Sequence, residues 1–181
     1  MATYVALLRG INVGGKTKVE MKTLKDVFES DLGCSSVRTY INSGNVVFRD
    51  RRGAANLATA VERAISERFG LDVPVLIRDL ANIRSLCAEI PDEWTNDKEQ
   101  KTDVFFLWQE IDTPDLIDSV AFKPELENVL HVHGALVWNI AREHATRGSS
   151  IKLVRSDLYG KMTIRNVNTV RKLLGLMEAV E

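Results

Sequence analysis

The chain has 181 residues, 45% of them hydrophobic and 27% charged, enough for one large domain or two small ones with a buried core. A formal net charge of −1 argues against a protein built around wholesale nucleic-acid binding. The first apolar run is interrupted early by Arg9, so neither a secretory signal nor a membrane span is expected. Cys34 and Cys87, without CxxC spacing, fit reduced thiols in a cytoplasm, the expected location. Charge is unevenly spread: residues 1–52 hold nine Lys/Arg against five Asp/Glu, 79–128 hold four against thirteen, and 142–172 hold eight against two. Basic ends can focus an anion, while the acidic middle has the composition of a solvated face.

Taken in order, residues 3–8 read as a first strand, followed directly by the glycine-rich stretch Arg9-Gly10-Ile11-Asn12-Val13-Gly14-Gly15-Lys16-Thr17. Met21, Leu24, Val27 and Phe28 share one face of a helix over 21–32, and Gly33 stands where helices commonly stop. Residues 37–41 and 46–48 read as strands joined by Asn42-Ser43-Gly44-Asn45, the composition of a hairpin turn. A helix over 54–69 puts Leu57, Val61 and Ile65 on one side and is closed by Gly70; residues 73–78 supply another strand. The order βαββαβ is the split unit of a ferredoxin-like sandwich.

Residues 79–90 read as helix and 91–101 as a polar connection, after which the pattern restarts. A strand over 102–108, a short helix over 113–120, strands over 129–132 and 135–140, and helical segments over 149–158 and 164–177 follow. Gly134-Ala135-Leu136-Val137-Trp138 echoes Gly44-Asn45-Val46-Val47-Phe48, which points to a weak tandem duplication. The expected fold is therefore α+β: two ferredoxin-like (βαββαβ-type) subdomains in tandem, with antiparallel sheets and a C-terminal helix, divided as 1–78, 79–101 and 102–181. Where the first half has its glycine loop, the second has Gln109-Glu110-Ile111-Asp112, so anion-gripping chemistry is expected on the first half.

Three glycines permit a tight turn with bare amides, and Arg9, Asn12 and Lys16 add side-chain donors, a composition suited to phosphate. In a split βαβ sheet, the end of strand one and the hairpin between strands two and three lie at one rim, which brings Arg9, Gly10, Asn12, Gly14, Gly15 and Lys16 toward Asn42, Ser43 and Asn45. A stable hairpin turn accounts fully for Gly44 and Asn45, whereas for Asn42 and Ser43 a site role and a turn role stand about even. A third cluster lies in the C-terminal helix, where Thr163 reads as the N-cap. Ile164, Val167, Val170, Leu173, Leu174 and Met177 fall on the inward face, while Arg165, Asn168, Thr169 and Lys172 share another. Arg165 and Asn168 are the candidate ligand-binding residues there.

The segments 8–16, 39–48 and 163–170 resemble the three signatures of the bacterial family known as domain of unknown function 1697. The resemblance implies two ferredoxin-like subdomains in tandem and implies no activity. The third signature usually reads Arg-Asn-Trp-Asn-Thr, whereas Val167 holds the tryptophan position here, a change of packing that leaves Arg165 and Asn168 as in relatives.

Other chemistries find less in the sequence. Gly10 to Thr17 formally satisfies G-x-x-x-x-G-K-[ST], the phosphate loop of nucleoside triphosphatases and kinases, and Asp79 could pose as its magnesium ligand, but the apolar helical period starts only at Met21. His131 and His133 share a strand face without a clear third metal ligand, no His or Lys attends Ser43, and no carboxylate pair stands near the glycine loop. No metal and no cofactor is called for, and catalytic residues are not assigned. The expected partner is a phosphorylated small molecule, a nucleotide or a nucleic-acid end; RNA as such is less favoured, because base-stacking aromatics are not evident beyond Tyr40 and Phe48. The alternative is a protein-interaction module whose turns are purely structural.

Overall fold

The computed structural model describes residues 1–15, 17–120 and 122–181. The chain forms two compact units, Met1–Ile83 with Leu173–Glu181, and Arg84–Lys172. Each holds a four-stranded antiparallel sheet with helices, so the protein is α+β with two ferredoxin-like subdomains and a C-terminal helix.

In the first unit, β1 (Ala2–Leu8), α1 (Met21–Asp26), β2 (Ser35–Tyr40), β3 (Asn45–Asp50), α2 (Ala54–Phe69) and β4 (Val75–Asp79) give the strand order β2-β3-β1-β4. Period-2 alternation sends Tyr4, Ala6 and Leu8 of β1 into one core with Val46 and Phe48 of β3. Leu57, Val61 and Ile65, one turn apart on α2, close the core from above. Phe48 sits at its centre, 5.0 Å from the Phe28 ring and 5.8 Å from that of Tyr4. α1 widens into a π-helical turn over Val27–Asp31, and Gly33 at φ 69° ends it, as Gly70 at φ 65° ends α2.

After α3 (Leu80–Glu89), the second unit carries β5 (Gln100–Leu107), α4 (Leu116–Ser119), β6 (Glu127–Val132), β7 (Ala135–Ala141), α5 (Ser150–Val154) and β8 (Met162–Asn166), in the order β6-β7-β5-β8. α6 (Val167–Glu178) follows. Phe105, Leu107, Leu136, Trp138 and Met162 form this core with Leu116 and Leu153. The helices expected over 113–120 and 149–158 are shorter, and Asp157–Lys161 forms a 3-10 turn.

The C-terminal cluster departs most from the sequence reading. Residues 162–166 are not the start of a helix but a strand paired to β5, with Asp103 opposite Asn166 and Leu107 opposite Met162. Arg165 therefore lies on a strand, while Asn168 and Thr169 lie on a helix, and the shared polar face does not exist. Ile164, Val167 and Val170 match a helical period, but completing the fourth strand of the sheet outweighs that local pattern. Thr163 is no cap: it is buried in β8, and Asn166 caps α6 instead, its Oδ1 accepting the Thr169 amide at 2.9 Å. Asn166→Ala is expected to cost about 1 kcal/mol, the usual worth of such a cap, read as a lower midpoint in urea unfolding.

Candidate functional site

The loop after β1 is built on left-handed backbone. Gly10, Asn12, Gly14 and Gly15 have φ of 73°, 54°, 62° and 74°, conformations open to glycine and tolerated by asparagine. Ile11 and Val13, which separate the first three, are not left-handed. The Asn12 amide donates to the Thr17 carbonyl at 2.7 Å and closes the loop. Among the described residues, the Gly14 and Gly15 amides donate to no carbonyl.

Asn12 ties this loop to its surroundings. Its Oδ1 accepts the Val19 amide at 2.9 Å, and its Nδ2 donates to the carbonyls of Val19 and Asn42, each at 2.9 Å. The last bond spans thirty residues and fixes the loop to the β2–β3 hairpin at one rim of the sheet. Both donors of Asn12 are thereby used within the protein, which makes it a brace. Leu8 N–H donates to the Gly44 carbonyl at 2.9 Å and Arg9 N–H to the Pro74 carbonyl at 2.9 Å, so the neighbouring backbone is held from two sides.

On the hairpin, β3 begins at Asn45, one residue earlier than the apolar pattern suggests. Asn45 is fully buried, with Nδ2 donating to the Tyr40 carbonyl and to Ser43 Oγ, both at 3.0 Å. Asn42 is exposed, Ser43 half-buried, and Ile41 combines a β-branched side chain with a φ of 49°, an uncommon and strained pairing.

Between loop, hairpin and the start of α1 lies a hollow of about 400 Å³. Of the residues expected from sequence, Asn12, Gly15 and Asn42 line it. Arg9, Gly10, Gly14, Ser43 and Asn45 stand outside its lining, and Lys16 lies outside the described residues. Thr17, Lys18, Val19, Glu20 and Met21 complete the wall, and of these only Thr17 falls within the glycine-rich motif. Lys18 brings an exposed ammonium; the Glu20 Oε2 accepts the Thr23 hydroxyl at 2.6 Å. α1 starts only at Met21, and β1 belongs to an antiparallel sheet, so the strand–loop–helix continuity of a triphosphatase loop is missing. Asp79 Oδ1 accepts the Asn82 amide at 2.8 Å, a capping role for α3.

The C-terminal candidates lie in the second unit. Arg165 is buried, donates to Thr163 Oγ1 at 3.0 Å and to the Ile164 carbonyl at 2.8 Å, and burial pushes its guanidinium down to about 10. Asn168 Nδ2 donates to the Asn96 carbonyl at 2.8 Å, and Arg171 donates to the Trp94 and Pro91 carbonyls at 3.1 and 3.0 Å. These side chains fasten the 91–101 segment to α6. His131 pairs with Asp112 at 2.7 Å and His133 sits in the turn after β6, with φ 41°. No helix of the described residues is long and apolar enough to cross a membrane.

The conserved bacterial protein SP0830 from Streptococcus pneumoniae has a similar solved structure: 27% identity, TM-score 0.83, covering 97% of this chain and 98% of that one. No curated protein matches the chain. The sequence model described as Protein of unknown function (DUF1697) matches residues 1–138, which include the glycine loop and the hairpin and stop short of Thr163. The chain belongs to that family.

Proposed function

We propose that the first unit binds a phosphate-bearing ligand, such as a nucleotide, a phosphorylated metabolite or a nucleic-acid end, in the hollow between the glycine loop and the β2–β3 hairpin. The observation that carries this reading is a left-handed, glycine-rich turn whose Gly14 and Gly15 amides are left without carbonyl partners among the described residues, beside a hollow walled by Gly15 and Lys18. Backbone amides in such a turn and an ammonium are the donors that phosphate oxygens accept best. Asn12 contributes indirectly, by holding Asn42 and Val19 in place. Lys16, from its position in the sequence, adds a second charge.

A second reading, a protein-docking rim, draws on Val13 and Ile41, which are 64% and 49% exposed and each adjoin the bonded pair Asn12 and Asn42. The two separate by charge. Lys18→Ala is expected to weaken binding of a phosphate ester about tenfold in titration calorimetry while leaving the melting temperature unchanged, because the side chain is exposed. Unchanged affinity in that variant, or no binding by the unmodified protein, would count against the phosphate reading.

A further inference from the structure

We infer that the group carried by the phosphate is a polyhydroxylated sugar ring, a ribose 5-phosphate unit either free or within a nucleotide. The inference rests on the phosphate reading above and adds what the remaining walls of the hollow would recognise. The first observation is size. A water molecule takes up roughly 30 Å³ of liquid and a phosphate group the room of a few waters, so phosphate alone leaves most of the 400 Å³ unfilled. A hollow of this volume falls in the range that holds small organic ligands.

The second observation is charge. Lys18 and the amide-rich turn favour an anion, yet Glu20 lines the same hollow with an exposed carboxylate. A carboxylate repels bare phosphate and only accepts hydrogen bonds, so its presence selects a ligand that carries donors beside its negative charge. Glu20 already shows which donor it suits, since its Oε2 takes the Thr23 hydroxyl at 2.6 Å while Oε1 makes no hydrogen bond to a described residue. Neighbouring hydroxyls of a sugar would meet the open oxygen, as acidic residues meet ribose in dinucleotide sites. Thr17 and Asn42 add neutral polar groups to the wall, and Met21 gives it an apolar stretch against which a ring face packs.

The test uses the full chain and its Glu20→Gln variant, titrated with inorganic phosphate, ribose 5-phosphate, 2-deoxyribose 5-phosphate and adenosine 5′-monophosphate. Glu20→Gln is expected to weaken ribose 5-phosphate roughly tenfold and to bind inorganic phosphate equally or more tightly, since it loses a charged acceptor and a repulsive charge together. The unmodified protein is expected to prefer ribose 5-phosphate over the deoxy sugar. Tighter binding of the monophosphate than of the free sugar phosphate identifies a nucleotide as the source; the reverse identifies a sugar phosphate. Equal affinity for both sugars, or a substitution that moves both ligands the same way, overturns the sugar assignment while leaving phosphate binding intact. No binding of any of the four overturns the phosphate reading and the sugar assignment together.

Discussion

Gly44→Ala is expected to destabilise the first unit by about 2–4 kcal/mol, the sum of a left-handed alanine and a methyl forced into a full core. Gly44 has a φ of 77°, and a Cβ built on it would lie 2.7 Å from Leu8 Cβ and 2.8 Å from Ile11 Cδ1. Neither neighbour can step aside: Leu8 and Ile11 are 0% and 3% exposed, and the Gly44 carbonyl holds the Leu8 amide at 2.9 Å. Thermal unfolding reads this as a fall of about 10 °C, at a few degrees per kcal/mol for a chain of this size. Gly14→Ala supplies the comparison, because Gly14 is also left-handed, with φ 62°, but has nothing within 4 Å of an added Cβ. It is expected to cost only about 1 kcal/mol, the conformational part alone. Equal losses in the two variants would mean that the contact between hairpin and loop is not packed as described.

At the opposite end of the same sheet, Asp50 and Arg52 are expected to govern stability in acid. Asp50 is buried and accepts from Arg52 Nη2 at 2.6 Å, Arg52 Nε at 3.0 Å, the Arg52 amide at 2.8 Å and the Cys34 thiol at 3.3 Å. Arg52 in turn donates to the Leu32 carbonyl at 2.9 Å, and its own carbonyl accepts Tyr4 Oη–H at 2.9 Å, so one ion pair joins β1, the end of β3 and the turn after α1. Hydrogen bonds from Arg52 hold the Asp50 carboxyl well below the usual carboxylate range, and burial together with Asp50 pushes the Cys34 thiol up to about 12, which keeps it protonated and donating. The folded state therefore holds its proton on Asp50 less tightly than the unfolded state, whose aspartates titrate near about 3.9. The stabilisation is complete above that value and is lost as pH falls below it toward the folded value. Asp50→Asn is expected to be less stable than the unmodified protein at pH 7, with a difference that shrinks steadily from about pH 4 downward in urea unfolding. Arg52→Ala strands the carboxylate and is expected to cost about 2 kcal/mol, below the figure for a fully buried pair because the arginine is partly solvated. A pH-independent difference would remove Asp50 from this role.

Much of this fold was legible in the residues. α2 carries a clean period of 3.6 and β1 reads as an apolar run that is buried from Thr3 to Leu8, and a glycine follows close after each, so pattern and packing agree. The meeting of the glycine loop with the hairpin followed from strand order alone. β8 was not legible, because Ile164, Val167 and Val170 fit a helix as well as a strand entering a helix, and only pairing with β5 decides. Asn45 reads as a turn residue by type, yet its side chain serves the hairpin from inside the core. The walls of the hollow were half visible: Gly15, Asn12 and Asn42 lie within recognisable motifs, while Lys18 and Glu20 stand in a stretch without periodicity. A charge of each sign two residues apart just before a helix was the only signal they offered. Arg9 drew attention by its charge but stands outside the hollow's lining.

Nitrogen-15 amide spectra recorded while a phosphate ester such as adenosine 5′-monophosphate is added bear most directly on the central claim. Saturable shifts are predicted for the amides of Gly14, Gly15, Thr17 and Asn42, with the same midpoint for all four, and for Lys18→Ala that midpoint moves to about tenfold higher concentration. Shifts scattered over unrelated surface, absent from the glycine loop, or unaltered by Lys18→Ala would contradict it.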